Sequence, residues 1–540
     1  MVSSHPDYDL VVIGGGINGA GIFREASLRG YKTLLIEKDD LSGATTATSS
    51  RLIHGGLRYL EHYEVPLVRE SLRERERLLN AAPHLVTPLP LTLPVYKGHK
   101  RGPFMIGLGM IAYDLLSYDK SVPNSKMLTR DEALAAEPGL DPQGLRAAGR
   151  YYDCQVEFPE RLVVENVIDG VRHGGTVFTH ATVTDFELAG GKIQAVMYRD
   201  ADGLEQRITT ASVMNVAGPW IDRVLKKAGS FPRMNGGTKG SHIVVDPFPG
   251  APKDALYIEA RQDGRPYFII PWNGLYLIGT TDIRFTGELD EIVASEEEID
   301  YLLAETNMAI PAADLTRESV LYTFAGVRPL PYVPDGSTAA ITRKHIVQSH
   351  APEVTNLFTI IGGKLTTYRS LAEDAVNDID KLFDRPVGGR KSPTRSQRLP
   401  GAAENLPVEH NRIVAQRPAW LSEESARWLV DRYGVRARDV IALAETNPRY
   451  QEPIREAHPA IVAVVPFSFD HEYARTLADV MIRRTMLSMD ADAGLPMAES
   501  MSYVAQEIYG WSDEQREAEL AGFHGEIAKQ LPRLMAASTR

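Results

Sequence analysis

Leu10-Val-Val-Ile-Gly-Gly-Gly-Ile-Asn-Gly-Ala-Gly21 decides the fold, together with a second apolar run, Thr33-Leu-Leu-Ile, that ends on Glu37. The first four apolar residues read as a buried strand, and the pattern from Ile17 to about Arg29 reads as a helix. Between them, Gly14 permits a tight turn, Gly16 lets backbone N–H groups approach a pyrophosphate, and Gly19 lets the helix lie close on the strand. The helix N-terminus holds the anion with its dipole. Gly15 and Asn18 lie inside the same turn and are counted with it. Glu37 stands near the spacing expected of an acid that binds the hydroxyls of an adenosine ribose. Strand, glycine turn, helix, second strand and acid together predict a dinucleotide-binding unit close to the first residue.

The 540 residues exceed what one core accommodates and point to about two to four domains. With 43% hydrophobic and 24% charged residues the composition is that of a globular protein. A net charge of −12 argues against nucleic acid as a partner, because phosphate binding needs a basic face. The single cysteine, Cys154, excludes an internal disulfide and suits a reducing compartment. No basic segment followed by an apolar stretch opens the chain, so no signal peptide is expected. No His, Cys or carboxylate cluster has metal-ligand spacing, so no metal is expected. No run reaches the roughly 20 apolar residues that span a bilayer. The nearest, Gly102 to Leu116, follows Lys97, His99, Lys100 and Arg101. It reads either as a buried or domain-packing helix, or as an interfacial segment with Phe104, Met105, Leu108 and Ile111 turned to lipid.

Further strand–glycine–helix turns recur at Ser212 to Trp220 and at Leu357 to Tyr368. Short strands separated by Pro and Gly fill the stretch from about Phe231 to Lys344, as in an antiparallel sheet. The pattern predicts an α/β chain: a discontinuous Rossmann-like domain (7–95, 150–228 and 345–385) with an inserted antiparallel-sheet substrate or cap domain (96–149 and 229–344). A linker (386–407) and an all-helical domain (408–540) follow. The Arg/Glu alternation from Pro66 to Asn80 reads as a solvated helix face. Thr176 to Asp185 reads as one strand, and Ser512-Asp-Glu-Gln515 as a capping box.

Eight stretches together are specific: GGGINGAG (from Gly14), TSSRLIHGGLRYLEHYE (from Thr48), VAGPW (from Val216), KGSHIVV (from Lys239), PWNGLYLIGTTD (from Pro271), GVRPL (from Gly326), AITR (from Ala340) and GGKLTTYR (from Gly362). The combination, in order from about Tyr8 to Arg369, resembles the FAD-dependent glycerol-3-phosphate dehydrogenase family, within the wider amine-oxidase-like flavoproteins. The resemblance implies FAD as cofactor and oxidation of sn-glycerol 3-phosphate to dihydroxyacetone phosphate. It also implies a homodimer, peripheral on the inner face of the cytoplasmic membrane, that passes electrons to the quinone pool. No long insertion precedes GVRPL, which favours quinone over oxygen. An oxygen-using glycerol-3-phosphate oxidase and a dehydrogenase of another phosphopolyol, such as erythritol 4-phosphate, stay open. An amine substrate is disfavoured because a cationic pocket repels ammonium, and a non-catalytic FAD-binding protein is the remaining rival.

The residue types agree with that chemistry. In the loop from Ala44, Thr45, Thr48, Ser49 and Ser50 offer hydroxyls to phosphate or flavin oxygens, while His54, Gly55 and Gly56 line the ring. Ala217, Gly218, Gly362, Gly363, Lys364, Leu365 and Thr366 complete the expected cofactor contacts. A phosphorylated polyol needs fixed positive charges, and Arg58, Arg328, Arg343 and Lys364 all stand in these motifs. The resemblance places Arg58, Tyr59, Arg328 and Arg343 at the substrate. Alcohol oxidation sends a hydride to flavin N5 and a proton to a base; His242 is the candidate, with His54 as competitor. Lys364, at a helix start, would stabilise charge at N1 and C2=O of the reduced ring. His242, Arg328 and Lys364 form the expected catalytic set.

Overall fold

A computed structural model of the chain describes residues 6–57, 60, 64–334, 341–385 and 392–531. Leu10–Ile13 forms the centre of a six-stranded sheet because it is apolar on both faces and can be buried on both. Thr33–Ile36 and Val213–Asn215 flank it in parallel, with Val11 opposite Leu34 and Val213. Leu357–Ile361 and Thr176–Phe178 continue the sheet outward, and Ile346–Ser349 closes one edge antiparallel. The helices Ile17–Leu28, Pro159–Arg172 and Tyr368–Leu382 supply Ile22, Phe23, Val163 and Leu371 to the core on one face. A three-stranded antiparallel sheet (Thr182–Ala189, Lys192–Arg199, Glu205–Thr209) covers the other through Phe186 and Val196.

The second body is a larger sheet. Thr238–Val245 pairs antiparallel with Leu275–Gly279 and with Val320–Arg328, and Pro266–Trp272 and Ala255–Glu259 follow. One face, with Ile243 and Val245, packs under the helix Glu296–Ala309. The sheet also takes Val86–Tyr96 and Leu145–Val156, which the sequence pattern divides between two domains. These long strands cross the expected boundaries at 95 and 150, since ten consecutive pairings from Val86–Val156 to Val95–Ala147, and Tyr96–Leu145 beyond a register shift, leave no room for a linker.

Other expectations change for local reasons. Thr176 to Asp185 is two strands in two sheets, parted by His180 at φ 53. The helix Val65–Ala81 is not a solvated face: Glu74 and Arg75 are fully buried, Glu74 on Arg369 and Arg75 on Asp153. Ser512 caps Asp513–Ala528 by accepting from the Gln515 N–H, one half of the expected box.

A series of helices from Leu406–Ala415 to Asp513–Ala528 follows, and Phe467, Met481 and Leu487 join the same core as Leu91, Trp272 and Phe324 of the large sheet. Buried charge fastens this helical body to the dinucleotide domain. Arg161 donates to both Glu472 oxygens (2.5 and 2.8 Å), and Arg436 donates to Glu472 at 2.6 Å. Arg484 grips both oxygens of Asp40 (2.7 and 2.8 Å) and the Glu472 carbonyl (2.7 Å). Asp40, His180 and Asp479 bring ligand atoms within 4.8 Å of one another, but Arg484 takes both Asp40 oxygens. Removing one member of a buried ion pair leaves the other charge uncompensated. Glu472→Ala is therefore expected to lower unfolding free energy by about 3–5 kcal/mol, measured by urea unfolding; a loss below about 1 kcal/mol, the range of exposed pairs, would contradict the role.

Candidate active site

The strand order of the six-stranded sheet switches between Leu10–Ile13 and its parallel neighbour Val213–Asn215, the place where open α/β sheets hold ligands. Three backbones meet there with no room for side chains. A Cβ on Gly14 (φ +116) would lie 2.5 Å from the Val216 carbonyl oxygen, and one on Gly19 would lie 1.8 Å from that of Gly14. Gly16 is the N-cap of Ile17–Leu28 and has no side chain to close the helix end. The Ile17 N–H donates to Thr46 Oγ1 (3.1 Å) and the Gly15 N–H to Glu37 Oε2 (2.5 Å). Burial raises the Glu37 carboxyl pKa, and the N–H groups of Asp39 and Gly15 oppose that. Across the cleft, Gly362 and Gly363 both have positive φ, and a Cβ on Gly363 would press on the Asn18 amide 2.9 Å away. Asn18 Oδ1 is buried with no hydrogen-bond partner among the described residues. A cradle bare of Cβ atoms, an open helix N-terminus and an orphaned amide oxygen fit a dinucleotide. Ala217 and Gly218 (φ 53) border it at the start of Gly218–Trp220.

The hydroxyl-rich loop is spent mostly on the protein. Thr45 donates to the Val327 carbonyl (2.7 Å), Thr48 to Ala44 (3.4 Å), and Ser49 Oγ accepts from the Arg51 N–H (3.3 Å). Ser50 Oγ is hydrogen-bonded to His242 Nε2 at 2.8 Å. A Cβ on Gly326 would meet Thr48 Oγ1 at 2.0 Å, so the loop is pressed flat on the Val320–Arg328 strand. Arg51, at φ 58 and fully buried, pins it by two bonds to Glu160 (2.9 and 3.0 Å) and lies over the Trp272 ring. Arg51 lies inside a quoted motif and Thr46 just before it, and their roles emerge only from the packing.

Three of the four expected cations, Arg328, Arg343 and Lys364, line the far side. Arg328 donates to Asp282 Oδ1 (3.0 Å), Thr280 Oγ1 (3.1 Å) and the Thr281 carbonyl (3.3 Å). Arg343 lies 3.7 Å from the other Asp282 oxygen. Lys364, the N-cap of Leu365–Thr367, reaches Ser71 Oγ at 3.3 Å. Burial and the nearby Arg343 lower its ammonium to about 7, against Glu64, Glu70 and Asp153. Thr366 ties the segment to His54: its hydroxyl accepts from the His54 N–H (3.0 Å) and donates to the His54 carbonyl (3.2 Å). Gly55 (its N–H 2.9 Å from the Tyr113 hydroxyl) is packed against Tyr113 and Leu72, and Gly56 turns the chain at φ 80. Arg58 and Tyr59 lie outside the described residues. Sequence reasoning missed Asp282, the last residue of a quoted motif, and Tyr113 and Asp153, which no local pattern marks.

A model of FAD-dependent oxidoreductases matches residues 9–368, and one of the C-terminal domain of alpha-glycerophosphate oxidase matches residues 392–516. The chain belongs to the FAD-dependent oxidoreductase family. Among this family's curated members it is 45% identical over 531 residues to a glycerol-3-phosphate dehydrogenase of Synechocystis sp., with 96% of each chain covered. It is 36% identical to a D-erythritol 1-phosphate dehydrogenase of Brucella abortus (88% and 94% covered). A solved glycerol-3-phosphate dehydrogenase from Bacillus halodurans, complexed with FAD, superposes with a TM-score of 0.78 at 26% identity, covering 98% of this chain and 96% of that one. FAD is the cofactor of this family, and the glycine cradle is where these residues would hold it.

Both histidines are held neutral. Burial, then the charges of Arg328 and Arg51, lowers His242 from 6.5 to about 3; burial lowers His54 to about 4, with Asp153 opposing and Lys364 assisting. The unfolded chain takes up these protons near 6.5, so it binds more protons than the folded one on acidification. Stability contributed by each is present above pH 6.5 and declines below it, by about 1.4 kcal/mol per pH unit. Urea unfolding of FAD-saturated protein at pH 7 and pH 5 is expected to show this loss and a shallower one in His242→Gln. An identical loss in the variant would contradict a neutral buried His242.

Proposed function

We propose that this chain oxidises sn-glycerol 3-phosphate to dihydroxyacetone phosphate and delivers the electrons to quinone. The observation that carries the reading is the grouping of Arg328, Arg343 and Lys364 on one wall, facing the cradle that a dinucleotide fits. Guanidinium forks suit a phosphate dianion, and Lys364 gains charge as an anion approaches. FAD supplies the two-electron acceptor for the hydride leaving the carbinol carbon. The protein supplies the proton acceptor for the hydroxyl, an imidazole that is neutral at pH 7. His242 is only 2% exposed and its Nε2 is engaged by Ser50, whereas His54 is partly exposed and close to Lys364. These exposures favour His54 as the base and His242 as the residue that positions the loop, the reverse of the order read from sequence. Arg328 and Lys364 hold the ester's charge while the proton moves.

Steady-state turnover with a soluble quinone should be fast with glycerol 3-phosphate and slow with D-erythritol 1-phosphate, and air should not replace the quinone. Turnover only with the tetritol phosphate, or only with air, would overturn substrate or acceptor respectively. His54→Gln should lower turnover by about 10²–10⁴-fold with FAD retained, and His242→Gln by less than about tenfold. The opposite order would return the base to His242.

We also infer that the enzyme lies on an anionic membrane surface, the inner face of the cell membrane. No helix among the described residues is long and apolar enough to cross a membrane. The helix Pro103–Leu116 buries Ile106, Met110 and Tyr113 and turns Phe104 (78% exposed), Met105, Leu108, Ile111 and Leu115 outward. Lys97 and Lys100 stand exposed beside it, the pattern of an interfacial helix. Co-sedimentation with vesicles containing anionic lipid should be lost in Phe104→Asp/Ile111→Asp, with turnover on soluble quinone kept. Undiminished sedimentation of the variant would contradict this surface.

A further inference from the structure

Asp282 is the carboxylate that Arg328 and Arg343 share at the cationic wall, and nothing in the reaction described so far uses it. It follows Leu275–Gly279, and its two oxygens face two different guanidiniums. Arg328 meets it at hydrogen-bond distance, 3.0 Å, and is further held by Thr280, the Thr281 carbonyl and, at 3.5 Å, Thr238 Oγ1. Arg343 meets it only loosely, at 3.7 Å, and Arg343 Nη1 is buried with no hydrogen-bond partner among the described residues. The three side chains are 19–27% exposed, so the group is open to a ligand from solvent. Two arginines sharing one anion, one of them incompletely satisfied, is an arrangement that a better anion can take over. A phosphate dianion carries more charge and more acceptor oxygens than a carboxylate, and it can satisfy the N–H that Asp282 leaves unmet.

We propose that Asp282 is a built-in competitor of the substrate phosphate: its carboxylate holds the Arg328–Arg343 pair in the free enzyme and yields it to the incoming ester. It thereby sets how tightly substrate and product are held. This rests on the reading that these two arginines bind the phosphate. While the site is free, the carboxylate keeps the two guanidiniums aligned despite their mutual repulsion. When product forms, the same carboxylate is at hand to reclaim them. The alternative role, a brace whose only effect is to orient the arginines, predicts the opposite sign on its removal.

The test is equilibrium binding of dihydroxyacetone phosphate and of inorganic phosphate, neither of which can reduce the flavin, to oxidised holoenzyme, followed by calorimetry. Asp282→Asn keeps an acceptor oxygen toward Arg328 and removes the charge. It should tighten both ligands by roughly fivefold to a thousandfold, the span for deleting one like charge about 4 Å away between the dielectric of water and an effective value near 20. KM for glycerol 3-phosphate should fall in parallel while kcat stays level or falls. Unchanged or weaker binding in Asp282→Asn would overturn the proposal in favour of the brace. Asp282→Ser, which removes the same charge with less bulk, serves if the Asn variant loses FAD, and the same tightening is expected. Arg343→Gln separates the two readings: weaker binding of both ligands upholds the phosphate site, and unchanged binding removes that reading and this one together.

Discussion

The contact on which the rest of the molecule depends is the approach of the Gly14, Gly19 and Val216 backbones at the point where the strand order of the parallel sheet switches. At these distances no side chain is possible, so the helix Ile17–Leu28 starts flush against the strands and its first N–H groups face one cleft. That placement carries the anion-binding end of the helix to the neighbourhood of Gly362 and Gly363, far away in sequence. The parallel sheet, buried on both faces, makes the position rigid.

The second sheet faces this cleft through the loop that follows Glu37. Arg51 locks the loop from below by its pair with Glu160, and Gly326 and Thr45 fix it on the Val320–Arg328 strand. His242 and Arg328 lie on that same surface, on paired strands. Hence the hydroxyls of Thr45 and Ser50 join the loop to the second sheet, while those of Thr48 and Ser49 bond within the loop. The buried Arg161, Arg436 and Arg484 cluster does the equivalent work for the helical body, reaching Asp40 three residues beyond Glu37.

Much of this was legible in the chain. Period and glycine spacing around Leu10 to Glu37 decide the dinucleotide sheet, because tight turns and double-sided burial each restrict residue type severely. The quoted motifs mark Arg328, Arg343, Lys364 and both histidines. What stayed hidden depends on pairings distant in sequence. Arg75 and Glu74 look solvated until Asp153 and Arg369 close on them, and Val86–Tyr96 looks like part of the first domain until Leu145–Val156 pairs along it. The exposure on which the proposed choice of His54 over His242 rests is likewise set by neighbours from Ser50 to Phe324, which no local pattern reports. The helix Pro103–Leu116 had two readings by composition, and its bare outer face is what supports the interfacial one proposed above.

In the proposed reaction a carbinol hydrogen leaves as hydride in the cleft while the phosphate is clamped. The measurement that addresses this most directly is rapid anaerobic mixing of the oxidised holoenzyme with glycerol 3-phosphate, unlabelled and deuterated at C2, following the flavin absorbance. The account predicts complete bleaching by both, slower by several-fold with the deuterated ester. Absence of bleaching, or bleaching at one rate whether or not C2 carries deuterium under conditions where chemistry limits, would contradict it.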